Sequence, residues 1–168
     1  MLVQAVAVHN SSVMVSGAAM SRLNDAFAFR GGCHCGRLRV TFSTALDPAS
    51  ITPRACDCSF CQKHGAAYVS DPAGQLSVIM QSSDALRRYR QGSNTAEFLL
   101  CDRCGVLVAV VFEHKARIYG AVNALSLEGP TGFGSAVPAS PQVLAPGEKV
   151  ARWSQLWVPD VELVTSGT

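Results

Sequence analysis

Charge is scarce in this sequence. Only 15% of its 168 residues are Asp, Glu, Lys or Arg, the net charge is +2, and the basic residues form no run. A nucleic-acid-binding zinc ribbon draws its affinity from clustered cations, so no nucleic-acid partner is expected. Aromatic residues are few as well, at 7%. No stretch has the length and apolarity of a membrane span, so no membrane association is expected. There is no Gly-x-Ser-x-Gly elbow, no phosphate-cradling glycine loop and no dinucleotide fingerprint. Nothing therefore points to acyl-enzyme, nucleotide or nicotinamide chemistry. Met1 to Met20 is apolar and rich in small residues, but it lacks a basic leader and is interrupted by His9, Asn10, Ser11 and Ser12. A secretory signal is not expected. Residues 1–22 read as an N-terminal extension, with Met20 as an alternative start, ahead of a single β domain over residues 23–168.

Against this lean background stand seven cysteines, every one inside a metal-ligand spacing. They read Cys33-His34-Cys35, Cys56-Asp57-Cys58-Ser59-Phe60-Cys61 and Cys101-Asp102-Arg103-Cys104. An odd count argues against a disulfide framework, and closing a Cys-x-Cys bridge would make a strained ring. Reduced thiols imply a reducing compartment, so a cytoplasmic location is expected. Two pairs supply four ligands and the triplet supplies three. That division predicts one closed, structural zinc site at Cys33, Cys35, Cys101 and Cys104, and one open site at Cys56, Cys58 and Cys61, two Zn²⁺ per chain. Glycines flank each pair, Gly31, Gly32 and Gly36 at the first and Gly105 at the second. They permit positive φ and let backbone N–H groups approach the sulfurs, which favours the thiolate.

The triplet leaves a fourth tetrahedral position for water or substrate, or for a protein ligand from His64, His34 or Asp57. Its thiolates would give a bound zinc a net negative charge, which Lys63 or Arg54 would offset. His9 and His114 are weaker candidates. Zinc is redox-inert, and every cysteine already has a ligand assignment, so the metal itself must activate the nucleophile. A small thiol bound there as thiolate and adding to a carbonyl fits these constraints. Lys63 and His64 are candidates for proton transfer or oxyanion stabilisation. The rival reading is a non-catalytic zinc-binding interaction module, with its protein partner unknown.

Alternation dominates the rest of the chain. Strands are expected over Arg37 to Phe42, Gln75 to Met80, Leu86 to Arg90, Ala96 to Leu100, Val106 to Phe112 and Arg117 to Ala121, the run from Val106 being central and two-sided. Short helices are expected at Ser59 to Gly65, with Ser59 as the capping residue, and at Asn123 to Glu128. Residues 129–150 read as a Pro/Gly-rich loop, and Trp153 to Val164 as a final strand. The fold class is therefore mainly β, or β-rich with few short helices.

The motifs Gly31-x-Cys33-His34-Cys35-Gly36, Cys56-x-Cys58-Ser59-x-Cys61-x-Lys63-His64-Gly65-Ala66, Phe98-x-x-Cys101-x-x-Cys104-Gly105 and Val122-Asn123-Ala124-Leu125-x-Leu127 occur in order across about residues 29–128. This arrangement resembles the glutathione-dependent formaldehyde-activating family, which also includes centromere protein V. The resemblance implies several coiled antiparallel sheets stapled by zinc, related to a zinc-binding chaperone of Rab GTPases. It implies structural zinc on Cys33, Cys35, Cys101 and Cys104 and catalytic zinc on Cys56, Cys58 and Cys61. It also implies the reaction, a carbon–sulfur lyase chemistry joining glutathione and formaldehyde as S-hydroxymethylglutathione. The segment after Gly129 matches no feature of that family.

Overall fold

β-Branched alternation builds two sheets. The computed structural model describes residues 27–166, so the expected extension over residues 1–22 lies outside the described residues. The first sheet contains β1 (Phe27–Gly32), β2 (Leu38–Thr44), β5 (Gln75–Met80) and β11 (Glu162–Thr165), in the order β1-β2-β5-β11. The second contains β3 (Arg54–Cys56), β4 (Ala67–Val69), β6 (Leu86–Arg90), β7 (Glu97–Cys101), β8 (Leu107–His114), β9 (Arg117–Asn123) and β10 (Val137–Ala139), in the order β10-β3-β4-β9-β8-β7-β6. All six expected strands are present, and β5 and β6 coincide with their expected limits residue for residue.

The seven-stranded sheet is the middle layer. Leu38, Val40, Phe42, Leu76 and Val78 of the first sheet pack on Val69, Leu99, Ala109, Val111 and Val122 of the second. Its opposite face presents Phe98, Leu100, Val110, Phe112 and Ala121 to a second apolar cluster. β8 thus buries both faces, as its unbroken apolar run requires. Phe42 and Phe112 are 0% and 2% exposed; burying each contributes about 2–3 kcal/mol of transfer free energy.

Two helices cover the second cluster. α1 (Ser59–Lys63) is capped by Cys58 rather than by the expected Ser59: the Cys58 Sγ accepts from the Cys61 N–H. α2 (Pro146–Leu156) corrects the reading of the C-terminal part. Residues 129–150 are not loop throughout, since they contain β10 and the start of α2, and Trp153 to Leu156 are helical, leaving Glu162–Thr165 as the strand. Pro146 occupies the first helical turn, where its missing N–H costs nothing, and the Glu148 carboxylate accepts from the Ala145 N–H at 2.7 Å. The face at Val150, Trp153, Leu156 and Trp157 then packs on the sheet. The Lys149 ammonium donates to Ser93 Oγ at 3.0 Å and fixes the helix to the β6–β7 turn. The expected helix at Asn123 to Glu128 is a single 3₁₀ turn, Ala124–Ser126.

Among the described residues, strand pairing is antiparallel except at two places. β10 runs parallel to β3, and β11 parallel to β5. Both exceptions come from the segment after Gly129, which lays one strand on an edge of each sheet.

Candidate metal centres

The first cysteine group is assembled by two tight turns. In the β1–β2 turn the Cys33 N–H donates to the Leu38 carbonyl at 3.0 Å, and the Leu38 N–H donates to Cys33 Sγ at 3.2 Å. In the β7–β8 turn the Cys101 N–H donates to the Val106 carbonyl and the Gly105 N–H to the Cys101 carbonyl, both at 3.0 Å. Gly36 and Gly105 take φ of +77° and +74°, as the motif requires. Gly31 and Gly32 serve a different need. They lie in β1, and a Cβ on Gly31 would stand 2.0 Å from the Ser126 carbonyl oxygen.

The four sulfurs of Cys33, Cys35, Cys101 and Cys104 lie within 4.8 Å of one another. Cys33 and Cys35 are 3.7 Å apart, Cys35 and Cys101 3.5 Å. A tetrahedron with metal–sulfur bonds of about 2.3 Å has sulfur–sulfur edges of about 3.8 Å. The donor set therefore fits zinc in type, number and spacing. Burial raises the Cys101 thiol to about 12. Burial acts the same way on Cys104, but N–H bonds from Val106 and Cys35 and neighbouring thiols outweigh it and bring that group to about 6. Thiols this close cannot all ionise without a cation among them.

The second group sits on the other face of the seven-stranded sheet. Cys33 and Cys101 belong to the core between the sheets, Cys58 and Cys61 to the cluster under α2. Cys56 ends β3, Cys58 caps α1 and Cys61 lies within it, and their sulfurs also fall within 4.8 Å of one another. Three soft donors from one short strand-to-helix segment suit zinc equally, with one coordination position left over. The hydrogen bond from Cys61 lowers the Cys56 thiol to about 6, against the effect of burial and helped by the Cys58 N–H. The same bond and burial push the Cys61 thiol up. The Tyr68 hydroxyl lies 3.3 Å from Cys61 Sγ, and the Gln91 amide donates to Cys58 Sγ at 3.5 Å.

The structure places the remaining candidates apart from this group. His64 ends α1 with its ring tilted against Phe60, centroids 4.6 Å apart, and contributes no ligand atom to the cluster. Lys63 and His34 are exposed. One carboxylate oxygen of Asp57 accepts from Ser140, and the other is buried without a partner among the described residues. Arg54, by contrast, reaches the site. A cavity of about 290 Å³ opens beside Cys56 and Cys61, walled by Arg54 and Tyr68 on one side and by Arg152, Trp153 and Trp157 on the other. Tyr68, Gln91 and Arg152 were not among the residues singled out by motif. Pro146-Gly147-Glu148 followed by Val150, Trp153 and Trp157 at helical spacing is the signal that would have exposed the α2 wall.

The family model described as glutathione-dependent formaldehyde-activating enzyme matches residues 28–135. Among solved structures, a Rhodobacter sphaeroides protein is similar at 28% identity and a TM-score of 0.49, covering 64% of this chain and 99% of that chain.

Proposed function

The chain belongs to the glutathione-dependent formaldehyde-activating enzyme family, and from that premise we propose that it catalyses reversible addition of a small thiol, glutathione first, to formaldehyde or a similar small aldehyde. The sulfur–carbon bond forms as the carbonyl π bond breaks, and the thiol proton ends on the former carbonyl oxygen. With glutathione the product is S-hydroxymethylglutathione, and the reverse direction is a carbon–sulfur lyase reaction.

One observation carries this reading. Three cysteine sulfurs converge within 4.8 Å, and two of the three cysteines line a cavity of small-molecule size. In this reading Cys33, Cys35, Cys101 and Cys104 hold a structural zinc, while zinc at Cys56, Cys58 and Cys61 supplies the Lewis acidity that favours a thiolate near neutral pH. The chain's own groups do the rest. Cys61 and Tyr68 form a hydrogen-bonded pair at the cavity floor. The Trp153 and Trp157 wall keeps water from the reacting thiol and lowers the local dielectric. The assignment of proton transfer or oxyanion stabilisation to Lys63 and His64 competes with Tyr68, which lies 3.3 Å from Cys61 Sγ and lines the cavity. Ligand thiols of this kind persist where disulfides do not, so we place the activity in the cytoplasm.

The test is two-dimensional exchange NMR on ¹³C-formaldehyde and glutathione with zinc-loaded protein. Faster exchange between free aldehyde and adduct, lost in Cys58→Ser, is the expected result. Unchanged exchange with folded, zinc-loaded protein overturns the proposal.

A further inference from the structure

Two guanidiniums and, among the described residues, no acid line the cavity beside Cys56 and Cys61. Arg54 opens β3, two residues before Cys56, the first cysteine of the triplet, and Arg152 on α2 lines the same cavity. Among the described residues neither arginine takes part in an ion pair, whereas Arg37, Arg87, Arg88, Arg90 and Arg117 all do.

Arg54 is also held in place. Its Nη2 donates to Ser70 Oγ at 2.6 Å, and that hydroxyl donates to the Leu156 carbonyl at 2.7 Å, at the C-terminal end of α2. One corner of the guanidinium fork is thereby anchored, and its remaining N–H groups are free for a planar, bidentate acceptor. The apolar wall of Phe98, Trp153 and Trp157 strengthens any ion pair formed there.

We propose that Arg54 and Arg152 form a carboxylate-binding subsite, so that the thiol this protein takes is one bearing a carboxylate. The proposal rests on the reading of Cys56, Cys58 and Cys61 as the thiol centre. It adds the handle by which the thiol is chosen and oriented. Because Arg152 lies outside residues 28–135, the handle is completed by a part of the chain that the family match does not include.

The chain's two tryptophans, Trp153 and Trp157, both line the cavity, so their emission reports its occupancy. S-methylglutathione has a blocked sulfur and tests the carboxylate contact without thiolate binding; its diethyl ester removes the carboxylates. A saturable emission change with the acid is expected, weakened about 10- to 100-fold by esterification or by Arg152→Gln, and partly restored by Arg152→Lys. Arg152 is exposed, so these variants leave the fold intact. Equal affinity of acid and ester, wild-type affinity in Arg152→Gln, or no saturable change overturns the subsite. Binding is read without turnover, so the two proposals fail separately. Persistent binding with silent exchange NMR sinks the reaction and keeps the subsite. Acceleration at unchanged glutathione KM in Arg152→Gln keeps the reaction and sinks the subsite.

Discussion

The Tyr68 hydroxyl lies 3.3 Å from the sulfur of Cys61, seven residues before it in the chain and across the turn that links α1 to β4. Burial, reinforced by the Cys61 and Cys56 sulfurs, holds the phenol protonated well above the ordinary tyrosine range. It is therefore the donor whenever Cys61 is a thiolate. Tyr68→Phe removes one hydrogen bond to a charged sulfur, which corresponds to about 10- to 100-fold in kcat. Zinc content should be unchanged. Equal kcat in the variant would confine Tyr68 to a packing role, and a comparable loss in His64→Ala would return proton transfer to His64.

The two cysteine groups should respond differently to the same substitution. Cys101→Ser should lower the melting temperature of the whole domain, because a ligand lost from the four-sulfur group unties the β1–β2 turn from the β7–β8 turn. Cys58→Ser should leave a folded protein with no turnover. Thermal denaturation and metal content, measured on both variants, check the pair. An unchanged melting point in Cys101→Ser would contradict the structural assignment.

Much of the fold could be read directly. Gln75–Met80 alternates between turn residues, Leu86–Arg90 is a short run between turns, and local pattern alone sets their limits. The three cysteine motifs were equally legible, because each is a single turn whose spacing is local. What failed was the region where punctuation residues sit inside elements. Pro146 and Gly147 read as loop, yet Pro146 opens α2, and the aromatic spacing of Trp153 and Trp157 was taken for strand alternation. Arg152 went unnoticed for that reason. It shares the cavity with Arg54, about a hundred positions away in the chain, a proximity that no local period encodes.

Gly31 tests the packing behind the first cysteine pair. Its missing side chain lets β1 approach the 3₁₀ turn, where a Cβ would meet the Ser126 oxygen at 2.0 Å and Leu127 Cα at 2.6 Å. Both atoms are backbone, so no rotamer change relieves the clash. Gly31→Ala should cost at least about 2–3 kcal/mol, about 5–10 °C in Tm. Gly36→Ala faces open space and should cost only the positive-φ penalty, about 1 kcal/mol. Similar melting points for the two would contradict this account.

Acid stability offers a separate check at Glu97. Burial would raise its pKa, but ion pairs with Arg88 and Arg90 on β6 outweigh burial and set it below the ordinary carboxylate value. A depressed folded pKa stabilises above the unfolded value, about 4.3, and that contribution disappears as pH falls through the lower folded value. Glu97→Gln should cost about 1 kcal/mol at pH 7 and nothing once the pH is below both values. Thermal melts from pH 7 to pH 3 read the convergence, and parallel curves would exclude the linkage.

The two parallel edge strands have a consequence for biosynthesis. The chain leaves the ribosome N-terminus first, so β3 and β5 emerge as sheet edges with open rows of N–H and C=O groups. They remain so until β10 and then β11 arrive, and the α2 wall of the cavity arrives between them. A nascent chain halted at Gly129 would already hold all seven cysteines, yet it would lack Arg152, Trp153 and Trp157. Metal capture can thus precede synthesis of α2, while the cavity closes only once that helix has emerged.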